Sequence, residues 1–89
     1  MDSADSHAPL VEQGRRLFEI LAPGAAINTI VLDDGAGVCL AHAVRGGGKI
    51  YVAPDLAVLF VGSALDFEKG LAAFLAGQRT PLEKFERRS

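Results

Sequence analysis

Apolar residues recur at two different spacings along this chain, and the change between them marks out its elements. Over residues 7–22, Leu10, Leu17 and Leu21 fall with Gly14 on one helical stripe, while Glu12, Arg15, Arg16 and Glu19 lie mostly on the opposite side. Ser6 is placed to cap this helix, Pro9 suits its first turn, and Pro23-Gly24 ends it. Residues 1–6 are acidic and polar and read as a flexible lead-in, leaving residues 7–89 as a single domain.

From residue 25 the pattern shifts to short β-branched runs separated by turn residues. Strands are expected at 27–32, 38–44, 49–53 and 56–61, with Asp33-Asp34-Gly35, Arg45-Gly46-Gly47-Gly48 and Pro54-Asp55 as the connections. Parallel crossovers need roughly a dozen residues or more, so connections this short imply an antiparallel four-stranded meander. A second helix follows, capped by Asp66 or Ser63, with Phe67, Leu71, Phe74 and Leu75 on one stripe and Gly77 as its stop. Thr80-Pro81-Leu82-Glu83 then reads as a capping box that opens a short last helix, with Leu82 and Phe85 turned inward and Arg87-Arg88 at its end. The expected fold class is α+β: an N-terminal helix, a four-stranded antiparallel meander and two C-terminal helices, in the order α-β-β-β-β-α-α.

A sheet covered on one face alternates apolar and polar residues. These strands do not. Val38, Leu40 and Val44 share one face with His42, Cys39, Ala41 and Ala43 share the other, and Leu59 and Val61 oppose Val58 and Phe60. Two arrangements satisfy this pattern: the helices divide between both faces, or one face packs against a second copy. The chain has 89 residues, no Trp and 5 Phe. A domain of that size buries only about 60–65% of its unfolded surface and gains from association, which favours the second copy. Tyr51, Leu59 and Val61 are the residues expected on that contested face.

Charge and chemistry then narrow the function. Nine basic against eleven acidic residues give a net charge of −2, and the basic residues cluster no further than the pairs Arg15-Arg16 and Arg87-Arg88, which argues against nucleic-acid binding. The lone Cys39 excludes an internal disulfide, the acidic start lacks the pattern of a signal peptide, and the apolar run at residues 56–65 is far short of the ~20 residues that span a bilayer. The expectation is a cytoplasmic protein without a membrane segment.

Gly46-Gly47-Gly48-Lys49 has the tail of a phosphate-binding loop but lacks the upstream glycine, the following Ser or Thr, and the helix whose N-terminus would hold the anion. Cys39 and His42 stand three apart on a strand and so face opposite ways, which rules out a nucleophile–base pair. Asp33-Asp34 reads as turn chemistry, and no spacing of His, Cys or carboxylates matches a metal site. No catalytic residue, metal or cofactor is therefore assigned, and no enzyme activity is expected.

The stretch Lys49-Ile50-Tyr51-Val52-Ala53-Pro54-Asp55, followed by Val58-Leu59-Phe60-Val61-Gly62-Ser63 and a helix, resembles the C-terminal part of small bacterial YrhB-like immunity domains. The resemblance covers about 30 residues, and it consists of turn and core positions. It implies a non-catalytic protein that binds and neutralises a toxin partner, and it carries no binding residue over to this chain. The sequence thus points first to a non-catalytic protein-interaction module, homodimeric through a sheet face or edge. The alternative is a small-molecule binding module with a pocket between sheet and helices, in which His42 and Tyr51 supply the polar contacts.

Overall fold

The computed structural model describes residues 3–21, 23–24, 26–42, 48–62 and 66–86. The elements are α1 (Ser3–Leu21), β1 (Ile27–Val31), β2 (Val38–His42), β3 (Lys49–Val52), β4 (Val58–Val61), α2 (Phe67–Leu75) and α3 (Glu83–Glu86), with a 3₁₀ turn at Asp33–Gly35. This is the α+β order expected from the sequence. The four strands form one antiparallel sheet in the order β1-β2-β3-β4. Ala43, Val44, the Arg45-Gly46-Gly47 part of the glycine loop, Ser63 and Arg87-Arg88 lie outside the described residues.

Helix α1 starts at Ser3, earlier than its apolar stripe suggests, so Ser6 lies inside it and is not its N-cap. Pro9 is consequently an interior residue, and its missing N–H removes the donor that would reach the carbonyl of Asp5. Leu10, Gly14, Leu17 and Phe18 form the buried stripe. At Gly14 the helix approaches the sheet closely: a Cβ there would stand 2.6 Å from Cδ1 of Leu40. Asp66 caps α2 as expected, its carboxylate accepting from the N–H of Lys69 at 2.8 Å.

The two apolar sheet faces are both covered, and by different helices. Val38, Leu40, Ile50, Val52 and Val58 pack beneath α1 with Phe85 of α3. Cys39, Tyr51, Leu59 and Val61 pack with Phe74 of α2 on the other face, where Phe67 and Leu71 adjoin them. The expectation that one face waits for a second copy is therefore corrected. A nine-residue helix suffices to cover Tyr51, Leu59 and Val61, and all three are buried within the single chain.

Two residues at the C-terminal end also differ from expectation. Leu82 is exposed while Phe85 alone turns inward. Thr80 is not spent on a helix cap: its N–H donates to the carbonyl of Val58 at 2.8 Å, and its Oγ1 accepts from the N–H of Phe60 at 2.9 Å. In the β3–β4 register, Leu59 and Val61 direct their backbone groups at β3, while those of Val58 and Phe60 point out of the sheet. Thr80 therefore occupies the outer edge of β4.

Candidate functional site

Among the described residues, nothing covers the opposite edge of the sheet. Leu32 donates to Gly37 at 2.9 Å, which with the β1–β2 register assigns the backbone groups of Asn28 and Ile30 to β2 and turns those of Ile27, Thr29 and Val31 outward. The strand reads Ile-Asn-Thr-Ile-Val, with no charge and no proline. Ile30 is 40% exposed and Val31 56%. Edge strands normally carry Lys, Pro, a bulge or a covering segment to prevent pairing with another chain. β4 has the cover of Thr80; β1 shows none of these among the described residues.

Beside β1 lies a half-open groove of about 660 Å³. Ile30, Leu32 and Ala36 form its floor, Phe67, Leu71 and Leu75 of α2 its wall, and Asp33 and Asp34 stand at one end. It exists because α2 packs over β3 and is too narrow to reach the outermost strand. Leu75, expected in the buried stripe, is 62% exposed at the groove's rim. The turn that ends the groove requires left-handed backbone at Asp34 (φ 59°) and at Gly37 (φ 130°), where a Cβ would collide with the Val52 carbonyl. Asp33-Asp34 thus serves the turn, with the Asp33 carbonyl accepting from Ala36 at 3.1 Å.

The residues expected to bind a ligand are separated by the sheet. His42 lies on the α1 side, its ring 6.2 Å from that of Phe18. Tyr51 lies on the α2 side, stacked between Phe67 and Phe74 at 5.9 and 5.5 Å, and its hydroxyl donates to the Phe67 carbonyl at 2.7 Å. They share no cavity, because β2 and β3 residues of this register alternate faces. The Tyr51 hydroxyl instead ties the first turn of α2 to the sheet.

Burial pushes the Cys39 thiol up to about 11, against the smaller opposing effects of the Lys49 charge and the neighbouring Tyr51 side chain. Burial likewise raises the Tyr51 hydroxyl, reinforced by the neighbouring Cys39 and by the charge of Asp66. Cys39 is enclosed, and burial disfavours its thiolate form. Among the described residues, no group of three or more His, Cys, Asp or Glu is placed to hold a metal ion. No helix among them is long and apolar enough to cross a membrane.

Sequence reasoning misses the bare edge because it weighs β1 only for what the strand buries. The signal lies in its composition, since Ile27–Val31 is an outer strand of the meander whose own residues include neither a charge nor a proline to blunt it. No protein-family model, curated protein or solved structure matches this chain. The resemblance to YrhB-like domains stands on the residues quoted for it alone.

Proposed function

We propose that this chain is a small non-catalytic interaction module that self-associates through the β1 edge. One observation carries this reading: of the two edges of a single sheet, β4 has its Val58 carbonyl and Phe60 N–H taken up by Thr80, while β1 is uncharged and, among the described residues, uncovered. Unpaired backbone donors and acceptors flanked by exposed Ile30 and Val31 form a template for another strand. The low net charge of −2 sets up little repulsion between copies. The test is the melting temperature across a hundredfold dilution series. Self-association makes the folded state depend on concentration, so Tm falls on dilution; a Tm independent of concentration counts against it.

The groove supports a second reading, retained because its volume of about 660 Å³ lies in the range of small-molecule sites and its lining is mainly aliphatic and aromatic. An apolar ligand held there raises Tm at constant protein concentration and leaves the mass unchanged. A ligand screen that shifts Tm only when the chain is already paired would favour self-association instead.

A further inference from the structure

We propose that two copies join by antiparallel pairing of β1 with β1 about a twofold axis at Thr29. This rests on the self-association reading and specifies its register. The outward-facing residues Ile27, Thr29 and Val31 are spaced evenly about Thr29. Pairing Thr29 with the Thr29 of a second copy also pairs Ile27 with Val31 and Val31 with Ile27, so every outward backbone group of the strand is used. Sliding the register by two residues leaves one of those pairs unmade, and sliding it by one turns the wrong backbone groups toward each other.

The side chains agree with this register. On the α1 side it sets Thr29 against Thr29 and Ile27 against Val31, which are β-branched pairs of the kind that stabilise adjoining strands. On the α2 side it sets Asn28 against Ile30, and the two sheets continue into one with like faces together. Charge agrees as well. Asp33 and Asp34 lie past the end of β1, and antiparallel order sends the acidic pairs of the two copies to opposite ends of the interface.

Size fixes the strength of the contact. A strand of five residues is about 17 Å long at ~3.4 Å per residue. One edge strand of that length is a small contact beside the ~800 Å² each partner gives to a standard stable interface. The pair belongs to the weak, exchanging class, and its formation depends on concentration.

Single cysteines placed in turn at residues 27 to 31 test the register, with oxidation or a short bis-maleimide trapping the pair and the unaltered chain, whose Cys39 is buried, as background. In this register the cysteines introduced at residue 29 of the two copies face each other, while those at 27 or at 31 stand about 14 Å apart along the strand. Cross-linking of Thr29→Cys is expected to exceed that of Ile27→Cys and Val31→Cys several-fold, with Asn28→Cys and Ile30→Cys between them. A maximum at another position, in a chain that light scattering shows to pair, overturns the register and leaves self-association standing. Background-level cross-linking at all five positions in a chain that remains monomeric overturns both. Amide exchange of the unaltered chain gives an independent check: protection at Ile27, Thr29 and Val31 rises with concentration, whereas Asn28 and Ile30 are protected throughout. Protection that does not change with concentration contradicts the proposal.

Discussion

The Thr80 hydroxyl oxygen accepts the backbone N–H of Phe60 at 2.9 Å, and in doing so it removes from solution the donor that a neighbouring strand would seek on β4. The N–H of the same residue, Thr80, occupies the Val58 carbonyl. One threonine thus takes up two outward groups of β4 with its backbone and its side chain together, and under the proposed function this leaves pairing to β1. A chain with one open edge assembles to a closed pair, while a chain with two can continue head to tail.

Replacing Thr80 by Val keeps its shape and removes the acceptor. The loss of one hydrogen bond is expected to lower stability by about 1 kcal/mol. The more telling effect is on assembly: with β4 loosened, β1 of one copy has a second edge to meet, and light scattering should find species larger than two chains. A Thr80→Val chain that never exceeds the unaltered chain in mass would contradict the assigned role.

Tyr51 and Gly70 make a second coupled pair. A Cβ at residue 70 would stand 2.6 Å from the Tyr51 hydroxyl oxygen and 2.9 Å from its Cε1. Alanine in place of Gly70 gains about 1 kcal/mol of helix propensity, but overpacking typically costs ~1–3 kcal/mol, so a net loss of stability is expected in urea unfolding. Tyr51→Phe alone is expected to cost about 1 kcal/mol through the lost bond to the Phe67 carbonyl. Combined with Tyr51→Phe, Gly70→Ala should be better tolerated, because the nearest clashing atom is gone. Strictly additive effects would show that the two residues do not press on each other.

Alkaline pH separates the folded and unfolded chains through Cys39. The folded thiol keeps its proton to about 11, whereas the ordinary value is 9.0. Above pH 9 the unfolded chain therefore binds fewer protons than the folded one, and stability falls as pH rises toward 11. The raised Tyr51 hydroxyl adds to the fall from its ordinary value of 10.0 upward. Between pH 9 and 10 the slope belongs mainly to Cys39, so Cys39→Ala should flatten it, whatever its effect on stability at neutral pH. An unchanged slope in that variant would assign the alkaline loss elsewhere.

Leu56 holds a left-handed backbone, φ 74°, in the turn closed by the Ala53–Ala57 hydrogen bond of 2.8 Å, and its side chain is exposed. Left-handed geometry costs a leucine roughly 1–2 kcal/mol, while glycine's extra freedom in the unfolded chain costs about 0.5–1 kcal/mol. Leu56→Gly is therefore expected to leave stability unchanged or raise it by up to about 1.5 kcal/mol. A clear loss on thermal unfolding would mean that the leucine packs against α1 more firmly than its exposure suggests.

The order of elements was legible because turn residues and periodicity agreed at each boundary: Pro23-Gly24, Asp33-Asp34-Gly35, Pro54-Asp55 and Gly77 all fall where an element stops. That both sheet faces are apolar was legible too, from Val38–His42 and Val58–Val61. Which helix covers which face was not, since periodicity gives each helix a buried stripe without saying against what it lies. The tyrosine at residue 51 illustrates the limit. Its alternation assigned it correctly to the face of Leu59, but only the path of α2 shows that face to be closed. Thr80 illustrates another, because a capping sequence and an edge-closing threonine are the same residues until the neighbouring strand is in place.

The central claim, that copies pair through the bare β1 edge, is tested most directly by solution mass over a hundredfold dilution for the unaltered chain beside Thr29→Pro. Proline removes an outward-pointing N–H and none of the β1–β2 hydrogen bonds, while fixing φ at residue 29. The unaltered chain should rise from 9.3 kDa toward twice that value as concentration increases, while Thr29→Pro stays at the single-chain mass. An unaltered chain that remains at 9.3 kDa throughout, or a folded proline variant that pairs as readily, would contradict the claim.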